Sequence, residues 1–249
     1  MRTENPNRKR RIEQDAEFTL RNEFNNNAEK YIESLKDKLV LFNEFNHIFG
    51  RDMFPTTDVE TAMHYIQENY IKPNIICISG KARSGKDTFA SMLAHELMNN
   101  GKSVMICRYA DLLKYICKQF FYWDGEKDEA GRTLLQTVGT DTVRKKDEDF
   151  WVNFVISIAT FFPREWDYIL IPDTRFPNEI ERWMEEGFAV RHIRVLREQN
   201  NGLTKEQKLH PSETALDDYS IVHNYINNTG TLEDLQRETK ILCSQIVEI

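Results

Sequence analysis

The sequence has no apolar run near the ~20 residues that would span a bilayer, and no repeat or low-complexity segment. Residues 1–11 are charged and polar, without the apolar core of a secretory signal, so a cytoplasmic protein is expected. It has no excess of positive charge either. Thirty-three basic residues face 40 acidic ones, for a net charge of -7. That argues against a protein devoted to coating nucleic acid. Cysteine is scarce: Cys77, Cys107, Cys117 and Cys243 are scattered, without metal-ligand spacing, and read as reduced thiols rather than a disulfide framework.

What is there begins at Ile75-Ile76-Cys77-Ile78-Ser79-Gly80-Lys81-Ala82-Arg83-Ser84-Gly85-Lys86-Asp87-Thr88. An apolar, β-branched run of this kind suits a strand buried on both faces. The Gly-x-x-x-x-Gly-Lys loop after it is the P-loop pattern, whose amides and lysine cradle nucleotide phosphates. Phe89, Met92, Leu93 and Leu97 then recur at helical spacing up to a stop at Asn99-Asn100-Gly101. A helix N-terminus offers free N–H groups and a positive dipole end to an anion. One position is unusual. After the lysine, where Ser or Thr commonly serves magnesium, stands Asp87, with Thr88 one step later.

The 249 residues suit one sizeable domain with an appendage. Residues 1–72 read as an N-terminal helical extension with a disordered basic start, Arg8 to Arg11, a helix over about 28–49 and a second from Pro55, available to a protein partner. Residues 73–249 read as an α/β domain. Strands are expected at 75–79, 103–109, 167–172, 189–196 and 221–227. Helices are expected near 86–99, 110–122, 131–138, 148–162, 177–186 and 231–247. The alternation predicts a P-loop kinase three-layer sandwich around a five-stranded, mainly parallel sheet. A lid or acceptor-binding insertion is expected at about 123–150.

Ligands in such sheets bind beyond the carboxyl ends of the strands, so the residues there are the candidates. Lys114 lies on the helix after the second strand. Arg132, Gln136 and Thr140 follow at spacings of four, on one helix face. An arginine fork suits phosphate, and Gln136 and Thr140 suit a base or sugar. Arg144-Lys145-Lys146 reads either as a solvated charge run or as a lid closing on phosphates. Trp151 reads equally as a core aromatic or a stacking platform. Asp173 closes the third strand where a P-loop protein places a second magnesium-side acid. Arg175 follows it. Glu179 reads as a dipole complement at a helix start or as a sugar or base contact. Arg197 ends the fourth strand. His210 is a tempting acid that phosphoryl transfer does not need, and Ser212 reads as a helix cap. Asn228 sits in a loop that could border an adenine or simply turn.

Together these segments resemble the phage deoxynucleoside monophosphate kinase family. The shared pieces, in the family's order over about residues 74–240, are Ser79-Gly80 with Arg83 to Thr88, Leu135-Gln136 with Gly139-Thr140-Asp141, Trp151-Val152, Pro172 to Arg175 with Glu179, Val195 to Arg197, His210 with Glu213, and Asn228 with Gly230 to Glu233. Asp87 after the lysine is usual in that family. The resemblance implies transfer of the ATP γ-phosphoryl group to a deoxynucleoside monophosphate with Mg²⁺, in DNA-precursor synthesis, and a homodimer. It implies ATP-phosphate contacts from Lys81 and from Arg83, Ser84, Gly85, Lys86, Asp87 and Thr88. The monophosphate would be surrounded by Lys114, Arg132, Gly139, Thr140, Trp151, Asp173, Arg175 and Glu179. The developing charge falls to Lys86, Arg175, Arg197 and Arg144, and the magnesium side to Asp87, Thr88 and Asp173. Residues 1–72 have no counterpart in the family, and the segment before Arg132 is short, so base preference does not transfer. The rival readings are a kinase of another small phosphorylated metabolite, and a nucleotide-binding switch with residues 1–72 as effector.

Overall fold

The computed structural model describes residues 6–50, 52–69, 72–126, 128–162, 165–197 and 208–247. The chain separates into two compact units, Met1–Ile71 and Lys72–Ile249.

The first unit is three helices: α1 (Pro6–Glu23), α2 (Ala28–Phe49) and α3 (Thr56–Asn69). Leu20, Leu35, Val59, Ala62 and Ile66 form its core. The Asn27 side chain accepts from the Lys30 amide to start α2, and Gly50, at φ +61°, ends it in the left-handed conformation. The basic cluster expected in a disordered start lies instead inside α1, with Arg8 paired to Asp58 at 2.7 Å. The reason is the apolar side of α1, where Ala16 and Leu20 are buried, a pattern masked in sequence by the surrounding charge.

The second unit is a five-stranded sheet in the order β2-β3-β1-β4-β5, with all four pairings parallel. The strands are β1 (Asn74–Ser79), β2 (Val104–Ile106), β3 (Tyr168–Ile171), β4 (Val190–Leu196) and β5 (Asn224–Asn227). The helices are α4 (Lys86–Asn99), α5 (Tyr109–Phe120), α6 (Glu129–Gln136), a π-helical segment (Thr137–Arg144), α7 (Phe150–Phe161), α8 (Asn178–Glu185), a short α9 (Pro211–Thr214) and α10 (Leu232–Val247). The alternation of β1 decides the layers. Ile76 and Ile78 pack with Phe89, Leu93 and Leu97 of α4 and Leu235, Leu242 and Ile246 of α10. Ile75 and Cys77 pack on the other face with Val152, Val155, Ile180 and Trp183 of α7 and α8. Each such aliphatic or aromatic side chain contributes about 1.5–3 kcal/mol by leaving water, which is why this central strand reads as an unbroken apolar run.

Several expected elements are shorter: the fifth strand, expected from residue 221, begins only at Asn224. The second strand stops at Ile106 and α5 begins at Tyr109, because the Asp173 carboxylate accepts from the Tyr109 and Ala110 amides and starts the helix there. The helix expected over 131–138 passes into the π-helical segment after Gln136. β1 lies between β3 and β4, so the loops after these three strands share one crevice.

Candidate active site

The loop from Gly80 to Lys86 joins β1 to α4. Gly80 stands at φ +146°, and a Cβ there would lie 2.4 Å from the Val195 carbonyl oxygen and 2.7 Å from Ser84 Oγ. No other residue fits that approach of loop to β4. Gly85, at φ +95°, precedes the first turn of α4. Lys86 is buried, and its Nζ donates to the carbonyls of Gly80 at 2.6 Å and Lys81 at 2.9 Å, bracing the loop from inside. Burial, and then the Arg175 charge, push its ammonium down to about 8. Asn228 Nδ2 donates to the Ser84 carbonyl at 2.8 Å, so Asn228 braces the loop from outside. Ser84 Oγ is buried and has no hydrogen-bond partner among the described residues. Below it, His192 Nδ1 faces the Ile221 carbonyl at 2.7 Å, an acceptor only. Nδ1 therefore carries the proton, and Nε2 accepts from Ser79 Oγ at 2.7 Å. Burial pushes this imidazole down to about 4 and keeps it neutral.

A cavity of about 470 Å³ opens on the α5 side of the loop. Arg83, Lys86, Asp87, Lys114, Arg132, Gln136, Gly139, Thr140, Arg144, Trp151, Asp173, Arg175 and Glu179 all line it, so thirteen candidates from separate segments converge. Lys81, Ser84 and Arg197 line a second cavity of about 290 Å³, which Arg175 and Glu213 also border. Gly85, Thr88 and Asn228 line neither of these two cavities. Thr88 is exposed on α4, because Asp87 takes the place after the lysine.

Several candidates have partners that define what they can do. Asp87 Oδ1 accepts from Arg108 Nη2 at 2.7 Å and Nε at 3.0 Å. Both oxygens of Asp173 are engaged by the start of α5, and burial raises its carboxyl above the usual range. Glu179 is buried. Its Oε2 accepts from the amides of Arg175 at 2.7 Å and Phe176 at 3.2 Å, and its Oε1 is paired with Arg144. Burial pushes Glu179 up to about 7 against the opposing pull of Arg144. Arg144 is therefore fixed to the cavity wall, over the Phe176 ring and bonded to Asn178 at 3.0 Å, and not carried on a free charge run. Trp151 belongs to the core and spends its indole N–H on the Gly139 carbonyl at 3.1 Å, while one face of it walls the cavity. Gly139 lets the π-helical segment press on α5: a Cβ there would sit 2.6 Å from a Leu113 methyl. π-helical turns of this kind recur at functional sites.

The cap of α9 is His210, whose Nδ1 accepts from the Ser212 amide, and not Ser212 as the sequence suggests. With Pro211 at the first helical position, the start lies two residues earlier. Sequence reasoning missed Arg108, Tyr109, Phe176 and Glu213 as cavity residues. Arg108 could have been found from its place just after the second strand; Glu213 lies far from either neighbouring predicted strand end.

Chemically, the larger cavity gathers seven cationic side chains against four carboxylates, in a chain whose net charge is -7. Concentrated positive charge beside the N-terminus of α4 suits phosphate-bearing anions better than a neutral ligand. Among the described residues no cluster of three or more His, Cys, Asp or Glu forms an all-protein metal cage. Asp87 and Asp173 on one wall fit the other way of holding Mg²⁺, by one or two carboxylates completed by phosphate and water. No helix among the described residues is long and apolar enough to cross a membrane.

The family model for deoxynucleotide monophosphate kinase matches residues 97–239. The chain belongs to the deoxynucleotide monophosphate kinase family. It is accordingly a nucleotide kinase, an ATP-dependent phosphotransferase with a nucleotide and a phosphate acceptor as substrates. Among solved structures it is similar to one described as APE1195, at 16% identity and a TM-score of 0.43, over 72% of this chain and 98% of that one. It is also similar to the Mycobacterium tuberculosis APS kinase CysC in complex with AMPPNP and APS, at 11% identity and a TM-score of 0.39, over 70% and 98%. At these scores they bear on no residue role. No curated protein matches significantly.

Proposed function

We propose that the chain transfers the γ-phosphoryl group of ATP to a deoxynucleoside monophosphate, giving a deoxynucleoside diphosphate and ADP. The observation that carries this reading is the convergence, in one cavity, of P-loop residues Arg83, Lys86 and Asp87 with Lys114, Arg132, Gln136 and Thr140 from α5, α6 and the π-helical segment. A switch protein needs only the first group. The second supplies a separate phosphate site with polar groups beyond it.

In this reading Lys81, the loop amides and Lys86 hold the ATP phosphates, and Asn228 serves by bracing Ser84. Lys114 and Arg132 take the acceptor phosphate. Gln136 and Thr140 face its sugar or base, against Trp151. The acceptor is already anionic, so its oxygen attacks in line without a general base, and the work is positioning and charge neutralisation. Lys86, Arg175 and Arg197 spread the developing charge, with Arg144 held nearby by Glu179. Mg²⁺, when bound, would be held by Asp87 and Asp173 and would neutralise phosphate oxygens. Residues 73–249 form the catalytic domain, with about 123–150 as the acceptor-side insertion. Residues 1–72 form an extension for a protein partner. A cytoplasmic homodimer in phage DNA-precursor synthesis is the setting we infer.

The test is ATP consumption with a panel of deoxynucleoside monophosphates and small phosphorylated metabolites, scored for diphosphate product. Lys86→Ala should lower turnover at least a hundredfold. Near-normal turnover in that variant, or wild-type hydrolysis of ATP without a diphosphate, would refute the assignment.

A further inference from the structure

Glu213 lines both cavities. Its side chain is 8% exposed. Oε2 accepts from the Ala82 amide of the phosphate loop at 2.9 Å, and Oε1 is paired with Arg175 Nη1. The same Nη1 donates to the Ser212 carbonyl at 2.9 Å, and the Glu213 carbonyl accepts from Lys81 Nζ. α9, which carries Glu213, is set by Pro211 at its start and by the His210 cap.

One carboxylate thus ties the first turn of the phosphate loop to an arginine from the loop after β3. That matters for the arginine. A free arginine side chain carries roughly 2 kcal/mol of rotamer entropy, which a transition-state contact would otherwise have to overcome. Here Nη1 is anchored twice, while Nε and Nη2 make no hydrogen bond among the described residues and the side chain borders both cavities. One edge of the guanidinium is held and the other is left unbonded among the described residues.

We infer that Glu213 is a positioning residue for phosphoryl transfer: it holds Arg175 at a fixed place relative to the Ala82 amide, so that the phosphate loop and the guanidinium engage the transferring group together. The inference rests on the phosphoryl-transfer reading above. Glutamine cannot replace Glu213, because both carboxylate oxygens face donors and an amide offers only one acceptor oxygen. Its NH₂ would be turned toward either Ala82 N–H or Arg175.

The experiment is a double-mutant cycle on the full chain: wild type, Glu213→Gln, Arg175→Ala and the double variant, with kcat and both KM values measured on the deoxynucleoside monophosphate that wild type uses best. Glu213→Gln should lower kcat by roughly 10–100-fold, the size expected when a catalytic group is displaced by about 1 Å. KM for ATP should move less than about threefold, because the other loop amides and Lys86 remain. The double variant should turn over within about threefold of Arg175→Ala alone, the two residues acting as one unit. A folding defect would lower both backgrounds equally, and circular dichroism with thermal unfolding of all four proteins reads it separately. Additive losses, or a Glu213→Gln variant with wild-type kcat, would overturn the inference while leaving the kinase reading intact. Wild type that makes no diphosphate from any monophosphate would overturn both.

Discussion

Replacing Arg144 by alanine should produce a loss of stability that grows with pH, and the structure gives its size. Arg144 is the largest influence holding the Glu179 carboxyl down, and burial has already pushed that group from 4.5 up to about 7. Without the guanidinium the carboxyl rises by about 1–3 further units, the usual effect of one close opposite charge. A carboxyl whose folded value is raised binds its proton more tightly folded than unfolded. Stability therefore falls as pH rises from the unfolded value through the folded one, by about 1.4 kcal/mol per pH unit. In wild type that fall ends near pH 7; in Arg144→Ala it continues one to three units higher. At pH 6 the variant should lose only its pH-independent contacts, the stacking on Phe176 and the bond to Asn178, roughly 1–2 kcal/mol. By pH 9 the gap should widen by roughly 1–3 kcal/mol, because at most the two units between pH 7 and pH 9 contribute. Urea unfolding at pH 6, 7, 8 and 9, followed by tryptophan fluorescence, measures it. Trp123, Trp151, Trp166 and Trp183 all lie in the 72–249 unit, so the signal reports that unit alone. A gap between wild type and variant that stays constant, or narrows, from pH 6 to pH 9 would refute the role assigned to the Glu179–Arg144 pair.

Lys86 should show the opposite sign. Its ammonium is pushed down to about 8 in the nucleotide-free protein, and phosphate should raise it, so ATP binding at pH 8.5–9 takes up a proton and at pH 6.5 does not. Calorimetric titrations in buffers of different ionisation enthalpy measure this, and equal proton uptake at both pH values would contradict it. Gly80→Ala should abolish ATP binding and destabilise the 72–249 unit by about 2–4 kcal/mol, since it combines a strained φ with backbone overlap. Gly101→Ala, at φ +75° with open space around it, is the control and should cost only about 1 kcal/mol, read from the same unfolding curves.

Much of the sheet and of the phosphate loop was legible in the sequence, because both rest on local patterns. Ile75 to Ile78 had to be a doubly covered strand, and Gly80-x-x-x-x-Gly85-Lys86 had to be a turn that exposes amides at a helix start. Period and glycine placement survive any tertiary context. The boundary residues were less legible. Asp173 starts α5 from the far end of β3, so the end of the second strand is decided by a residue some 65 positions away. The π-helical segment packs through Gly139 against Leu113 on another helix, a contact no local pattern records.

The sequence by itself determined the class of protein: an α/β fold, a phosphate-binding loop, and a set of polar residues at strand ends where a ligand must lie. Only the tertiary structure decided which of those residues work as partners. Asp87 is tied to Arg108, Arg144 to Glu179, and Arg175 through Glu213 to the phosphate loop. These pairings join residues 21 to 131 positions apart. Hydrophobic period is written along a single helix or strand, whereas a charge pair between elements exists only once packing has brought the two strand ends together.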